Sequence, residues 1–428
     1  MNATGGRIDK YGTLLFGGLL LFSLSLALSK SATNVLMALI YLAVLFLVAR
    51  YQPFRSIVMR NARQPLLLSL VLYLSAAVIG LLFTEHLADG LGITNKIVGL
   101  LLVYLMVSVL LDSLDNGDRA FPSAKKLLLA FLVGAAALNV IAFMTYLGLV
   151  GHKKFVLPLA PLNVHHIWFS NLNAIGMYTA VSFLLFSSRK QDLRYKTFFI
   201  FFLLLSGVSV LLSLSRTAWL GIFFTTIILT YIMVKKKKVF FMALFGMLGA
   251  GVLLYFFNQI VHTRLNEIVS DISLFFTGQT QTNIGERFLM WKAAFRMFLS
   301  NPLFGVGTGD YVLTMGKYMA SGEFPPYLAE FNQPHNMYLF ALATNGLLGL
   351  AALLYVFYRG LSFALPLMRS DGKEKLFAFL ALATTVHFMI AGLTDSFFNI
   401  QILRYTFAFV MGVCVRNSLR TEDEKLGS

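Results

Sequence analysis

Three arginines, one histidine and one aspartate have the types and settings needed to move a group carried on a phosphate. Arg216 stands in Leu212-Ser213-Leu214-Ser215-Arg216-Thr217-Ala218-Trp219, a turn so short that two apolar runs meet almost directly. A guanidinium beside the first amides of a helix, with Ser213, Ser215 and Thr217 around it, makes an anion site; the plainer reading is an arginine snorkelling to the membrane boundary. Arg287 follows Asn283-Ile284-Gly285-Glu286, and Arg264 lies in Thr263-Arg264-Leu265-Asn266-Glu267. His335 closes the run Gln333-Pro334-His335-Asn336. An imidazole changes protonation near neutral pH and so suits proton removal from a hydroxyl, while Asn336 is placed to cap the helix that follows. Asp395 falls in a short turn near Arg404, and either pairs with it or orients His335 or an arginine.

Other motifs invite chemistry less directly. Gly305, Gly307 and Gly309 resemble a phosphate-cradling loop, yet no strand precedes them and no Lys-Ser/Thr follows, so a tight turn is expected. His165-His166 suggests a metal, but no acidic or cysteine ligand stands nearby in sequence. Asn171 and Asn173 are read as helix caps or as polar lining. From Arg287 to Leu299, Phe288, Trp291, Phe295 and Phe298 recur at helical spacing with Lys292 and Arg296 on another face, which predicts an amphipathic helix in the outer interface.

The elements that must hold these groups are apolar. Of 428 residues 58% are hydrophobic and 13% charged, against roughly 25% charged in an average soluble domain, which excludes an ordinary soluble enzyme. Twelve apolar windows reach the length of a bilayer crossing, centred on residues 12–28, 33–49, 65–83, 96–111, 127–149, 171–187, 197–213, 217–234, 239–257, 337–358, 376–393 and 403–415. The expected fold is an all-α polytopic membrane protein of about twelve transmembrane helices. It forms one integral domain over residues 1–428, with a long, partly helical periplasmic loop, 258–334, between helices nine and ten.

A net charge of +16 would suit nucleic acid, but its distribution argues otherwise. With both termini cytoplasmic, the inner loops collect 24 of the 35 Lys and Arg, in runs such as Arg50–Arg63, Arg119–Lys126, Arg189–Lys196, Lys235–Lys238 and Arg359–Lys375. The inner face then carries +14 and the outer +2. This is a topology signal, attraction to anionic membrane lipids, and implies no nucleic-acid partner. The basic runs are read as solvated anchors. Segment 258–334 is near neutral, so affinity for an anion must come from particular positions. The one cysteine, Cys414, says nothing of redox compartment.

Taken in order, Ser213 to Trp219, Gly285-Glu286-Arg287-Phe288-Leu289-Met290-Trp291, Asn301-Pro302-Leu303-Phe304-Gly305-Val306-Gly307 and Pro334-His335-Asn336 resemble the bacterial O-antigen ligase family. That family belongs to a superfamily that also holds O-antigen polymerases and protein O-oligosaccharyltransferases. The resemblance implies a glycosyltransferase of the bacterial inner membrane with its active site facing the periplasm, moving a glycan from undecaprenyl diphosphate to lipid A-core without nucleotide sugar, metal or other cofactor. It implies that Arg216 and Arg287 hold the diphosphate and that His335 is the catalytic base. Arg264, Asn336 and Asp395 are further candidates for the substrate site.

The residues independently suit that chemistry. A diphosphate leaving an anomeric carbon gathers negative charge, which fixed guanidiniums stabilise. No carboxylate pair is evident for a covalent glycosyl intermediate, so in-line displacement with inversion is expected. Polymerase, protein O-glycosylation and a lipid-linked oligosaccharide flippase are the competing readings. The last fits poorly, since transporters place ionisable groups near the bilayer midplane and here they sit at span ends.

Overall fold

The computed structural model describes residues 3–426 apart from 114–119, 152–154, 162–163, 188–192, 371 and 373. Arg119, Lys153, Lys154, Arg189, Lys190 and Lys373 therefore lie outside the described residues. Helices carry the whole fold, as an apolar surround demands, since only a helix satisfies its backbone polar groups within one segment.

A hairpin of α1 (Ala3–Leu28) and α2 (Lys30–Arg50) turns at Ser29, whose hydroxyl accepts from the Ala32 amide at 3.2 Å. The short α3 (Gln52–Ala62) leads to α4 (Pro65–Gly80), and the chain then crosses back and forth in α5 (Leu87–Ser113), α6 (Ala120–Tyr146), α7 (His166–Phe186), α8 (Leu193–Leu212), α9 (Arg216–Met233) and α10 (Lys237–Phe257). The segment after α10 holds α11 (Gln259–Phe276), α12 (Asn283–Ser300) and α13 (Tyr311–Ala320). Three more helices finish the fold: α14 (Met337–Arg369), α15 (Lys375–Ala391) and α16 (Gln401–Leu426). Among the described residues nine helices are long and apolar enough to cross a membrane, and shorter apolar helical stretches at Gly12–Leu28, Lys375–Ala391 and Gln401–Val415 fill the remaining three windows. The protein is a multi-pass helical membrane protein.

Central and peripheral helices differ in what they touch. Nearly every side chain of α15 is buried, from Leu376 to Phe388, as is α16 from Ile402 to Val415, whereas α10 has no buried residue. Within lipid such packing is held by van der Waals fit and occasional hydrogen bonds rather than by water exclusion. One polar tie crosses this core: the His387 ring on α15 meets Asn171 Oδ1 at 2.9 Å and Tyr178 Oη at 3.0 Å. Asn171 and Asn173 are thus not caps. Both are fully buried, Asn173 Oδ1 accepting from Asn139 at 2.6 Å, and His165 is the residue that caps α7.

The Lys235–Lys238 run and the α3–α4 turn mark one end of the bundle. There the anchor reading is incomplete for Arg60: it grips the buried Asp112 carboxylate with two hydrogen bonds, at 2.6 and 3.0 Å. Asn61 adds a third at 2.6 Å.

The other end is built on a break in α14. Gly346 adopts φ 60 and ψ −155, so the tenth span is divided rather than continuous. The gap admits the glycine loop: Leu347 N donates to Pro302 O at 2.9 Å, while Val306 N and Gly307 N donate to Ala343 O and Thr344 O at 2.9 and 3.1 Å. Thr308 continues inward, its hydroxyl donating to Ala77 O and receiving from Asn345 Nδ2 at 2.7 and 2.6 Å. The loop is the expected tight turn. The amides of Val306, Gly307 and Thr308 bond carbonyls of α14 and α4, which leaves those three nothing for a phosphate.

Over this floor α12, α13 and the start of α14 enclose a second, smaller core. Met290, Ala293, Ala294 and Met297 recur at helical spacing, fully buried against Tyr311, Met315, Phe340 and Ala343. Burying the large apolar members of that set contributes roughly 1.5–3 kcal/mol per side chain relative to leaving them exposed to water. The aromatic stripe of α12 lies off this packed face. Phe295 is exposed, and Phe288 and Trp291 line a cleft.

Candidate active site

The cleft forms where α9 begins. Ser215 Oγ caps the helix by accepting from Ala218 N at 3.3 Å, which sets Arg216 as its first residue, and Trp219 Nε1 ties it to α8 through Val210 O at 3.0 Å. Facing Arg216 is α11, whose Glu267 and Asp271 are four residues apart and so share a helix face. Arg216 meets Glu267 Oε2 at 2.5 Å and Asp271 Oδ2 at 3.6 Å, with 19% of its side chain exposed. Arg264 reaches the same Glu267 oxygen at 2.6 Å. Burial works against ionisation of Glu267, but the hydrogen bonds from Arg264 and Arg216 outweigh it and hold the carboxyl below its usual range.

Arg287 enters from the first turns of α12. Together with Arg216 it lines one cleft of about 350 Å³, whose walls are otherwise mostly apolar: Leu220, Leu265, Ile268, Ile272, Ile284, Phe288 and Trp291. Burial pushes the Arg287 guanidinium down from its ordinary value, a loss partly restored by the Asp395 carboxylate. A guanidinium stays protonated throughout the physiological range regardless. Glu286, beside it, is pushed up by burial and by the Glu330 charge.

His335 stands next to this cleft in a left-handed conformation, φ 48. That backbone is uncommon for a residue with a side chain, though histidine enters it more readily than most. Its neighbours hold it there. Trp291 Nε1 donates to Pro334 O at 2.9 Å, and Met337 N donates to Gly392 O at 2.8 Å. The ring nitrogen Nδ1 lies 3.3 Å from Asp395 Oδ1, on a side chain only 3% exposed, while a quarter of the His335 side chain is open. Asp395 is itself fixed by Ser396 N at 2.8 Å and Gln333 Nε2 at 3.2 Å. Its neighbour Thr394, which lines the cleft, donates to Thr217 Oγ1 at 3.0 Å.

The geometry thus gathers Arg216, Arg287, His335 and Asp395 at one end of the bundle, with Arg264 one residue removed. Asp395 serves His335, not Arg404, whose Nη1 donates instead to Phe398 O at 2.9 Å. Asn336 is brought near too, yet its oxygen is committed to the cap of α14, accepting from Tyr338 N and Leu339 N at 3.0 Å each. His165 stacks on His166 and Trp168, and burial lowers the affinity of His165 for a proton, with Asp395 and His335 close enough to modulate it. Among the described residues no three His, Cys, Asp or Glu cluster as metal ligands would. The sequence reading missed Glu267 and Asp271 as partners of Arg216, although their spacing was visible. It also missed Thr394, which had no signal at all.

Such a site suits a substrate with an anionic head and an apolar tail, handled by a polytopic membrane protein. Residues 201–354 match the family model described as O-Antigen ligase, so that part of the chain is similar to that family. The matched region runs from α8 to the second part of α14, so it includes Arg216, Arg264, Arg287 and His335 but not Asp395. An uncharacterized protein of Haemophilus influenzae is 26% identical over 198 residues, 45% of this chain and 49% of that protein. The chain therefore matches about half the length of this curated relative.

Proposed function

We propose that the protein transfers a glycan from undecaprenyl diphosphate to a sugar hydroxyl of lipid A-core at the periplasmic face of the bacterial inner membrane. The observation that carries this reading is the shared cleft: two guanidiniums on apolar walls, joined at the rim through Thr394 to the Asp395–His335 pair. A diphosphate needs the cations, a prenyl chain needs the walls, and a hydroxyl needs the base.

In the transfer, the acceptor oxygen bonds to the anomeric carbon as the bond from that carbon to the donor's diphosphate oxygen breaks. His335 Nε2 takes the hydroxyl proton, and Asp395 stabilises the imidazolium from the Nδ1 side. The electron pair departs with undecaprenyl diphosphate, held by Arg216 and Arg287. One displacement inverts the anomeric centre. The donor's phosphates take over the place that Glu267 and Asp271 occupy on Arg216.

Sidedness follows from charge. Lys235 to Lys238 lie just past the other end of α9, about 27 Å from Arg216 along an 18-residue helix. A lysine run favours the cytoplasmic face, which supports a cleft on the outer side.

The test is reconstitution of the purified protein with undecaprenyl diphosphate-linked glycan and lipid A-core. Glycan appearing on the core is the expected product. Extension of the donor's own glycan with none on the core makes it a polymerase, and transfer only to a pilin-like protein makes it a protein O-oligosaccharyltransferase.

A further inference from the structure

A second cavity, about 840 Å³ and larger than the cleft, opens between the starts of α2, α5, α7 and α16, with α13 as one wall. No residue lines both, and they part at His335. Gln333, on the wall of the larger cavity, donates to Asp395, while the next residue's carbonyl receives the Trp291 indole of the cleft.

Three cations line this larger space: Lys30, Lys96 and Arg404. Among the described residues none of them meets a carboxylate. The single acid on the wall, Asp89, faces His86 at 3.1 Å. Arg404 is 95% buried by residue surface, being 5% exposed, and its Nε has no hydrogen-bond partner. Three cations with no carboxylate partner suit the space to an anion. Two aromatic side chains stand with the cations, Lys30 lying 4.7 Å over Trp168 and Arg404 5.2 Å over Tyr405. Flat rings beside hydrogen-bonding amides, here Gln333 and Gln401, suit a sugar, which has apolar faces and polar edges.

We infer that the polar cavity holds the acceptor, and that Lys30, Lys96 and Arg404 select a sugar bearing a phosphate or carboxylate near the accepting hydroxyl. This rests on the proposed function and adds the substrate class of its second site. It also gives the displacement its line, since the acceptor approaches His335 from one cavity and the diphosphate departs into the other.

The test is binding, independent of turnover, to the full-length protein in detergent. The probe is core oligosaccharide released from lipopolysaccharide, in untreated, phosphatase-treated and carboxyl-reduced forms. Losing one charge-assisted contact weakens binding by about tenfold or more. The expected result is that fall for one treated form, which identifies the anion, and for Lys96→Ala and Lys30→Ala with the untreated probe. Lys96→Arg restores affinity. In transfer assays the two alanine variants raise the acceptor KM and leave the donor KM unchanged. Equal binding of all three probe forms, or a raised donor KM in Lys96→Ala, overturns the inference. Charge-dependent binding without transfer to any acceptor leaves it standing and removes the proposed reaction instead.

Discussion

Thr394 Oγ1 donates to Thr217 Oγ1 at 3.0 Å, and that contact ties the helix start bearing Arg216 to the turn bearing Asp395. Arg216, the proposed cation for the leaving group, and Asp395, the proposed carboxylate behind the base, are therefore tied together through a contact one residue from each. Thr394→Val is expected to lower kcat about threefold to tenfold, the worth of one hydrogen bond, with the fold intact. Measured transfer rates equal to wild type remove the link from the mechanism.

Arg216→Lys and Arg287→Lys each replace a planar two-pronged donor with a point charge. A loss of about a hundredfold or more in kcat is expected if the guanidinium stabilises the departing diphosphate. Single-turnover rates check this, and unchanged rates in either variant reduce that arginine to an anchor.

His335→Asn separates chemistry from backbone. Asparagine also enters the left-handed region readily, so thermal stability should match wild type within about 1 kcal/mol, while transfer falls by about a hundredfold or more. His335→Val should instead lower the melting temperature, because a β-branched residue is strained at φ 48. Preserved transfer in the asparagine variant excludes the base role.

Glu286 gives a pH dependence with a definite sign. Its folded-state affinity for a proton is raised by burial and by Glu330. Such a group favours the fold below its unfolded pKa and disfavours it as pH rises through the folded value. Glu286→Gln should therefore stabilise the protein near neutral pH, with the gain vanishing as the solution falls below the ordinary carboxylate range. Melting temperatures of both proteins across that range are the measurement, and a gain that persists in acid contradicts the assignment.

Gly346→Ala tests the break in α14. An added Cβ would overlap the Leu303 carbonyl and face a positive φ, so a loss of about 1–3 kcal/mol or more is expected. Stability unchanged in urea unfolding means the loop yields more easily than its hydrogen bonds suggest.

Much of this was legible in the chain because it rests on local pattern. Span length and loop charge are properties of short windows, so the twelve apolar windows and their ends needed no tertiary knowledge. The candidate functional side chains were legible by type, being charged groups in an otherwise apolar chain. What could not be read was pairing across distance. Arg216 and Glu267 are 51 residues apart, and His335 and Asp395 are 60 apart. Nor did the sequence reading assign the packed face of α12, which small residues and methionine take because they let helices approach closely. The broken tenth span escaped notice because a glycine within an apolar run looks the same whether the helix continues or stops.

The interruption at Gly346 gives the two stretches of α14 different neighbours. Phe340 and Ala343 ahead of it pack with α12 and α13, whereas Leu353, Val356 and Phe357 beyond it pack in the main bundle. Met337 and Ala341, also ahead of it, face the main bundle, so the first stretch bridges both cores and keeps His335 beside Asp395.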